Sequence, residues 1–205
     1  MVGIRDVADR VREDIAVVIE RDPSVHTVGE ALLAPHLVAM WLHRLSHVVH
    51  RSGHPVVARL IFRVGRQLSG GIEIHPGARI GRRLFIDHGC GTVIGETAVL
   101  GDDVTLYHQV TLGALGWRRD RRRPPGQRRH PKLGSGVVVG ANSVILGPVE
   151  IGDNARIGAR TFVVDDVPAG AIVVARASRT VLPGTSNGVA RPSRAGRADD
   201  AEADT

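Results

Sequence analysis

A six-residue period runs through the middle of the chain. Aliphatic residues recur at every sixth position in three runs, which are Ile74, Ile80 and Ile86, then Ile94, Leu100, Leu106 and Leu112, then Leu133, Val139, Ile145, Ile151, Ile157 and Val163. Neither the α-helical period of 3.6 nor the strand period of 2 produces this spacing. A six-residue period is typical of a parallel β-helix, in which each hexapeptide supplies one strand and one corner. Three hexapeptides make a triangular coil, so we predict about five coils.

The period is interrupted in two places. Two extra residues separate Ile86 from Ile94, and a longer insertion separates Leu112 from Leu133. Because stacked strands leave no room for extra residues, we expect both insertions to leave the β-helix as loops at its corners. Loops of this kind commonly build a binding face. The first insertion carries an aspartate–histidine pair and a glycine cluster within the sequence LFIDHGCGTVIGET.

The first part of the chain has a different period. Between about residue 4 and residue 68, apolar residues recur at spacings of three and four, which predicts helices. Residues that break helices interrupt this pattern at Asp22-Pro23, at Pro35 and at Gly53-His54-Pro55. Because proline ends or kinks a helix, we expect the helices to be divided or bent at these points.

These patterns predict three parts of the chain. Residues 1–70 are expected to form an all-helical domain, residues 71–181 the β-helix domain, and residues 182–205 a tail. The tail is rich in proline, glycine, serine and charged residues and has almost nothing to bury. We therefore expect it to be disordered.

The net charge of +6 comes from one segment. Residues 117–130 hold seven arginines and one aspartate, which account for the whole excess of positive charge. Aromatic residues make up 3% of the chain, too few for a base-stacking surface, so we expect no nucleic-acid binding. No apolar stretch approaches the roughly 20 residues that span a bilayer, so we expect no membrane role. The single cysteine and the charged N-terminal sequence predict a cytoplasmic protein.

Four motifs occur in an order that identifies a family. IEIHPGARIG, FIDHGCGTVIGETA, VTLGALG and RRHPKLGSGVVVGANSVILG resemble the motifs of serine O-acetyltransferase, a hexapeptide-repeat acyltransferase family. The resemblance extends over roughly residues 14–170 and includes the Arg-Asp-Pro sequence at residues 21–23. It implies a left-handed parallel β-helix with an N-terminal all-helical domain. It also implies transfer of an acetyl group from acetyl-CoA to the hydroxyl of L-serine, which gives O-acetyl-L-serine and CoA for cysteine biosynthesis.

The resemblance implies a catalytic pair. It places His88 as the general base, and an imidazole with a pKa near neutrality suits the removal of a hydroxyl proton. Glu73 stands where the family has the aspartate that orients this imidazole and stabilises its cation. The extra methylene of Glu73 is a departure from the family, which indicates either a displaced imidazole or a different acceptor.

The resemblance also implies residues that bind the two substrates. The acceptor is expected to be held by Asp22, Asp87, Arg129 and His130, because carboxylates attract its ammonium group and an arginine binds its carboxylate with two hydrogen bonds. Acetyl-CoA is the expected co-substrate. Four small residues are expected to leave room for it, which are Gly113, Ala114, Ala141 and Ala159, and Arg156 is expected to lie near its phosphates. No metal is expected. The arginine loop, with Arg118, Arg119, Arg121, Arg122 and Arg123, either binds the CoA phosphates or an acidic partner, or is a solvated loop.

Two expectations concern thiol chemistry and partners. Cys90 lies two residues after His88, and we expect a packed thiol and not a nucleophile. Small-molecule substrates and a homotrimer, or a dimer of trimers, are the expected partners. In the family a C-terminal isoleucine often binds O-acetylserine sulfhydrylase. Because this chain ends with Thr205, we expect no tight complex through the tail.

Three other functions are compatible with parts of the sequence. The same chemistry could act on another hydroxyl or amine acceptor, such as another amino acid or a sugar, and Glu73 and the altered loop favour this alternative. A metal enzyme of the γ-carbonic anhydrase type would need three histidine ligands, and His75, His88 and His108 do not show that pattern. A non-catalytic scaffold would need neither a base nor a substrate arginine.

Overall fold

In the part of the chain that the structure describes, four helices precede the strands, and the three long ones are divided at the predicted breaks. In the computed structural model they are α1 (Ile4–Arg21), α2 (Val28–Ala31), α3 (Pro35–Arg51) and α4 (Pro55–Leu68). Pro35 and Pro55 are the first residues of their helices, where an N–H group would have no partner within the helix. The predicted helical pattern is therefore confirmed. None of the described helices is long and apolar enough to cross a membrane.

The structure describes residues 4–124 and 126–175. These residues belong to one compact unit. The boundaries at residues 70 and 181 and the division into domains stay predictions. The tail at residues 182–205, with its expected disorder and its Thr205 end, lies outside the described residues.

A capping box fixes the turn between α1 and α2. Thr27 Oγ1 accepts a hydrogen bond from the Glu30 N–H at 3.2 Å. The Glu30 carboxylate in turn accepts the N–H groups of His26 and Thr27 at 2.7 and 3.0 Å. Both partners of the box satisfy backbone donors that a helix start would otherwise leave free. The turn that carries Asp22 is therefore held at its far end.

Among the described residues, fourteen short strands and one short helix follow. The strands are β1 (Glu73–Ile74), β2 (Arg79–Ile80), β3 (Phe85–Ile86), β4 (Val93–Ile94), β5 (Val99–Leu100), β6 (Thr105–Leu106), β7 (Thr111–Gly113), β8 (Lys132–Leu133), β9 (Val138–Val139), β10 (Val144–Leu146), β11 (Glu150–Ile151), β12 (Arg156–Ile157), β13 (Phe162–Val163) and β14 (Ile172–Val173). Helix α5 (Trp117–Asp120) lies in the second insertion, between β7 and β8.

The strands form three parallel sheets, one on each side of a triangular prism. Sheet A has the order β1-β4-β7-β10-β13, sheet B has β2-β5-β8-β11, and sheet C has β3-β6-β9-β12-β14. Successive strands in a sheet are three apart in the chain, except that β14 follows β12 in sheet C, so each of the first four coils contributes one strand to each sheet. This confirms the predicted left-handed parallel β-helix with five coils.

The last coil corrects one expectation. We expected only two breaks in the period, but Val167 pairs with Ile151 by a single bridge where sheet B would have its fifth strand. Val167 follows Val163 by four residues and not six, so this corner of the last coil is shortened.

The core is a column of the periodic aliphatic side chains. Twelve of the thirteen are no more than 5% exposed, and Ile80 is partly buried. A second inward position lies two residues earlier in each hexapeptide and is filled by small or medium side chains such as Ala78, Ala98 and Val104, each fully buried. Ala39 and Met40 of α3 belong to the same core. Helix α3 therefore closes the open end of the first coil.

Two rows of corners lie along the two edges of sheet A. We call the corners between a sheet C strand and the next sheet A strand the C–A corners, which are residues 87–92, 107–110, 140–143 and 158–161. The corners between a sheet A strand and the next sheet B strand are the A–B corners, which are residues 75–78, 95–98, 114–131 and 147–149. The first insertion is a C–A corner, and the second is an A–B corner.

A buried histidine makes the stability of this fold depend on pH. His43 of α3 is 5% exposed, and burial, with His47, Arg44 and His75 acting in the same direction, lowers its pKa to about 3. A hydrogen bond with the Ile74 carbonyl only partly opposes this. The unfolded chain therefore takes up a proton at pH values where the folded chain does not.

We predict that His43→Gln reduces the pH dependence of stability. Because the folded pKa lies below the unfolded one, the free energy of unfolding should fall as pH falls from about 6.5 to about 3, by up to about 1.4 kcal/mol per pH unit from this group. Urea unfolding at pH 5 and pH 7.5 measures the slope. His54→Gln, at an exposed histidine, is the control. An unchanged slope in His43→Gln would contradict the prediction.

Candidate active site

The first C–A corner presents His88 to solvent through a series of tight turns. His88, Gly89 and Gly91 have positive φ angles of 59°, 66° and 71°. Backbone hydrogen bonds of 2.7 Å from the Gly89 N–H to the Asp87 carbonyl and 2.9 Å from the Cys90 N–H to the His88 carbonyl hold the turns. The side chain of His88 is 75% exposed. Left-handed backbone is unfavourable for a non-glycine residue, and such strain is concentrated at functional sites.

This corner faces a cavity of about 270 Å³. Its polar lining consists of Asp22 from the turn after α1, Glu30 from α2, His36 from α3, and Asp87 and His88 from the corner. The remaining walls are largely apolar and include Val18, Val25, Leu33 and Phe85. The structure therefore brings together three predicted site residues that are up to 66 positions apart, which we call the His88 cluster (Asp22, Asp87 and His88).

The His88 cluster places two carboxylates beside one imidazole. Asp22 Oδ1 accepts hydrogen bonds from the Ser24 hydroxyl at 2.6 Å and the Ser24 N–H at 2.9 Å. These bonds hold the pKa of Asp22 below its usual value, and His88 and His36 act in the same direction. Asp87 Oδ1 lies 3.8 Å from His88 Nε2. The cluster can attract a cationic ligand, and its imidazole can accept a proton.

A second cluster lies at the A–B corners. The Arg129 guanidinium forms an ion pair with Glu96. Thr97 Oγ1 accepts the backbone N–H groups of Arg129 at 2.9 Å and His130 at 3.1 Å. Glu96 and Thr97 belong to the GET sequence of the first quoted motif, so one short segment positions both basic residues. We call these four residues, Glu96, Thr97, Arg129 and His130, the Arg129 cluster.

His130 is held as a neutral ring of defined tautomer. Burial, and then the charge of Arg129, lowers its pKa to about 4. The Thr97 N–H lies 3.1 Å from His130 Nδ1. A backbone N–H can only donate, so Nδ1 is the acceptor and the proton of the neutral ring is on Nε2. His130 can therefore offer an Nε2 hydrogen-bond donor to a ligand.

The two clusters lie on opposite edges of sheet A. His88 belongs to a C–A corner, whereas Arg129 and His130 belong to an A–B corner. In the described part of one chain, no hydrogen bond or ion pair connects the clusters. The predicted acceptor residues are therefore divided within the chain, with Asp22 and Asp87 in one cluster and Arg129 and His130 in the other.

Glu73 has a partner other than the predicted one. It lies on β1 with its side chain away from the core, and Arg66 Nε of α4 lies 3.5 Å from its carboxylate. Among residues 4–124 and 126–175, no hydrogen bond or ion pair joins Glu73 to His88. The catalytic pair of Glu73 and His88 stays a prediction.

The predicted cofactor residues also divide between the two edges of sheet A. Gly113 and Ala114 end β7 and begin the second insertion, at the A–B edge. Ala141 and Ala159 occupy C–A corners of successive coils, and Arg156 lies on the outer side of sheet C. A Cβ atom added at Gly113 would lie 2.8 Å from Leu146 Cδ2, so packing alone also favours glycine there.

The arginine loop is only partly free. Arg123 Nε lies 3.5 Å from Asp120, and Arg128 binds Glu150 at 3.0 Å. The guanidinium groups of Arg118 and Arg121 both stack on the Trp117 ring, 5.3 Å from its centroid. Arg123 and Arg128 of this basic segment are therefore engaged in ion pairs, and Arg118 and Arg121 stack on the exposed Trp117 ring.

Cys90 is exposed, and the expectation of a packed thiol was wrong. The turns on either side of Cys90 hold this residue on the outside of the corner, away from the core column. The rings of His88 and His108 lie 5.9 Å apart. Within the residues that the structure describes, no group of three or more His, Cys, Asp or Glu side chains is placed to hold a metal ion.

Sequence reasoning missed three positioning residues. Glu96 and Thr97 were within a quoted motif but had no role, and Gly95 was not singled out. A Cβ atom added at Gly95 would lie 2.0 Å from His130 Cδ2 and 2.2 Å from Nε2, so the histidine ring occupies the space that a side chain would fill. The glycine that follows Ile94 in the repeat was the available signal.

We predict that Gly95→Ala displaces the His130 ring. The ring would lose its burial and its hydrogen bond with Thr97, so the pKa of His130 should rise from about 4 toward its usual value. Histidine NMR titration measures this. Gly29→Ala is the control, because its Cβ atom would come no closer than 3.9 Å to Thr27 Oγ1. An unchanged pKa of His130 in Gly95→Ala would contradict the proposed packing.

Comparison with known proteins is consistent with this geometry. Residues 130–164 match the bacterial transferase hexapeptide (six repeats) family. The chain is 44% identical over 190 residues to the serine acetyltransferase of Mycobacterium tuberculosis, covering 92% of this chain and 77% of that one. It is 45% identical over 165 residues to the serine acetyltransferase of Helicobacter pylori strain J99, covering 80% and 92%.

Solved structures give the same result. The serine acetyltransferase of Neisseria gonorrhoeae in complex with serine is 36% identical with a TM-score of 0.73, covering 87% of this chain and 68% of that one. The serine acetyltransferase of Brucella abortus in complex with coenzyme A is 33% identical with a TM-score of 0.77, covering 86% and 68%. The resemblance inferred from the motifs is confirmed, and the chain belongs to the serine acetyltransferase family.

Proposed function

We propose that this chain transfers the acetyl group of acetyl-CoA to the hydroxyl of L-serine, giving O-acetyl-L-serine and CoA for cysteine biosynthesis. The observation that carries the proposal is the cavity in which Asp22, Asp87 and His88 converge. Its two carboxylates match an ammonium group, and its exposed imidazole matches a hydroxyl. The complexes of relatives with serine and with coenzyme A support the same pair of substrates. Its cytoplasmic location stays a prediction.

The reaction needs one proton acceptor and a return path for the proton. The His88 imidazole takes the hydroxyl proton while the oxygen attacks the thioester carbonyl. A C–O bond forms, the C–S bond breaks, and the imidazolium returns its proton to the CoA sulfur. Asp87, 3.8 Å from His88 Nε2, is placed to stabilise the imidazolium. Glu73 could add to this only by releasing Arg66.

The division of the acceptor residues supports a shared site between chains. The outward residues of sheet A are mostly uncharged and include Val93, Val144 and Phe162, which is 65% exposed. Sheet B instead carries charged outward residues such as Lys132 and Glu150. An uncharged face of this kind is suited to bury against copies of itself.

We therefore propose a homotrimer with sheet A around the three-fold axis. This packing places the C–A corners of one chain beside the A–B corners of the next. The His88 cluster then faces the neighbouring Arg129 cluster, whose arginine can bind the serine carboxylate after leaving Glu96. Pairing of trimers into hexamers stays a further prediction.

The same boundary supports a cofactor groove. Ala141 and Ala159 would lie beside Gly113 and Ala114 of the next chain, and small side chains on both walls leave room for the pantetheine arm. We assign the CoA phosphates to the positive charge around the groove, which comes from Arg156 and from the stacked side chains of Arg118 and Arg121.

We predict that His88→Ala lowers kcat by about 10²- to 10⁴-fold while acetyl-CoA binding persists, because the cofactor residues lie elsewhere. Thiol release from acetyl-CoA with L-serine, homoserine, threonine and amino sugars is the assay, and L-serine should be the best acceptor. His26→Ala, at an exposed histidine after α1, is the control.

Two outcomes would contradict the proposal. A His88→Ala enzyme that keeps most of its activity would remove the assigned base, and better turnover of a sugar would remove the assigned acceptor. Glu73→Gln tests the additional carboxylate separately. If Glu73 stabilises the imidazolium, this change should lower kcat with little effect on substrate binding.

A further inference from the structure

His36 is a buried polar residue that the assigned chemistry does not use. It is the second residue of α3, 3% exposed, and it lines the cavity of the His88 cluster. Its ring packs edge-on against Phe85, with centroids 5.3 Å apart and planes at 86°. Its Nε2 atom is buried and has no hydrogen-bond partner in the described part of the chain.

An unsatisfied buried nitrogen is costly to keep. Burying a polar group without a partner forfeits its hydrogen bonds to water, whereas an aromatic hydrocarbon ring would fill the same space without this cost. His43 on the same helix also has a buried nitrogen without a partner, Nδ1, but its ring has a hydrogen bond with the Ile74 carbonyl and does not line this cavity. The polar atom of His36 therefore needs an explanation other than packing.

The ring of His36 is neutral near pH 7. Burial lowers its pKa to about 4, although the charge of Asp22 acts in the opposite direction. A neutral imidazole carries a proton on one nitrogen and a lone pair on the other. With its proton on Nδ1, His36 offers an acceptor at Nε2.

The carboxylate oxygens that line the cavity are partly occupied within the chain. An α-ammonium group has three N–H donors, and Asp22, Glu30 and Asp87 line the cavity, but Asp22 Oδ1 accepts from Ser24 and Glu30 accepts the N–H groups of His26 and Thr27. The carboxylate of the acyl acceptor is assigned to Arg129, and its hydroxyl to His88. One more hydrogen-bond acceptor on the same wall would satisfy an N–H donor of the ammonium group that Asp22 and Asp87 leave without a partner.

We propose that His36 is a specificity-determining residue whose Nε2 accepts the third N–H of the amino group of the acyl acceptor. This inference rests on the proposed function and deepens it. His36 thereby selects acceptors with a free primary amine. A hydroxy acid of the same size that lacks the amine gains nothing from this contact.

The test compares L-serine with 3-hydroxypropanoate, which keeps the hydroxyl and carboxylate but has no amine. In His36→Phe, we expect the KM for L-serine and its Kd by calorimetry to rise about 10- to 100-fold, the usual effect of losing a hydrogen bond to a charged group. The affinity for 3-hydroxypropanoate, measured as competitive inhibition and by calorimetry, should not change. His36→Gln, whose amide oxygen can accept, should restore part of the L-serine affinity.

Stability separates this role from a structural one. Because His36→Phe removes an unsatisfied buried polar atom, its Tm should be equal to or above that of the wild type while L-serine binding is lost. His43→Phe is the matched control. It should leave the KM for L-serine unchanged, because His43 does not line the cavity.

Each outcome decides the proposal. A wild-type KM for L-serine in His36→Phe, or equal weakening of both ligands, would overturn it. If His36→Phe does not fold, failure of His36→Gln to separate the two ligands would overturn it. L-serine binding without turnover in the wild type would overturn only the proposed reaction, whereas no L-serine binding would overturn both.

Discussion

The column of buried aliphatic side chains is the constraint on which the rest of the structure depends. Each hexapeptide adds one such side chain, and Ile94, Leu106, Leu112 and Ile145 in the central coils are fully buried. A side chain or an extra residue that does not fit this column must leave it at a corner. The rigid interior therefore determines where chemistry can be placed, and both insertions carry the polar residues that the core could not accommodate.

The triangular cross-section places the two polar clusters on opposite edges of sheet A. The His88 cluster supplies negative charge and the imidazole that we propose as the base, and the Arg129 cluster supplies positive charge and a neutral donor. Within one chain the width of sheet A separates them, and Arg129 is neutralised by Glu96. Each cluster is complementary to one part of an amino acid. We propose that packing of sheet A against another copy of the chain completes the arrangement, so that assembly forms part of the active site.

The sequence predicted the features that depend on period and on backbone chemistry. The six-residue repeat predicted the β-helix, and Pro35 and Pro55 predicted where α3 and α4 begin. The motifs predicted the residues of the His88 cluster, which the structure brings to one cavity. They did not predict that Arg129 and His130 lie on the other edge, because a repeat gives the order of corners but not the contacts between them.

Other features depend on packing between distant segments and were not predictable. Glu73 pairs with Arg66 only because α4 lies against β1, and His36 reaches the cavity only because α3 closes the first coil. The exposure of Cys90 follows from the turns at Gly89 and Gly91. In each case the side chain is evident in the sequence, but its partner is set by tertiary structure.

The shared site can be tested directly with mixed assemblies. Chains carrying His88→Ala and chains carrying Arg129→Ala would be co-expressed with different affinity tags, and assemblies that contain both would be isolated by sequential purification. Every mixed trimer has one boundary where an intact His88 faces an intact Arg129, so we expect about a third of wild-type activity from assemblies whose parents are almost inactive. Mixed trimers no more active than either parent would contradict a site shared between chains.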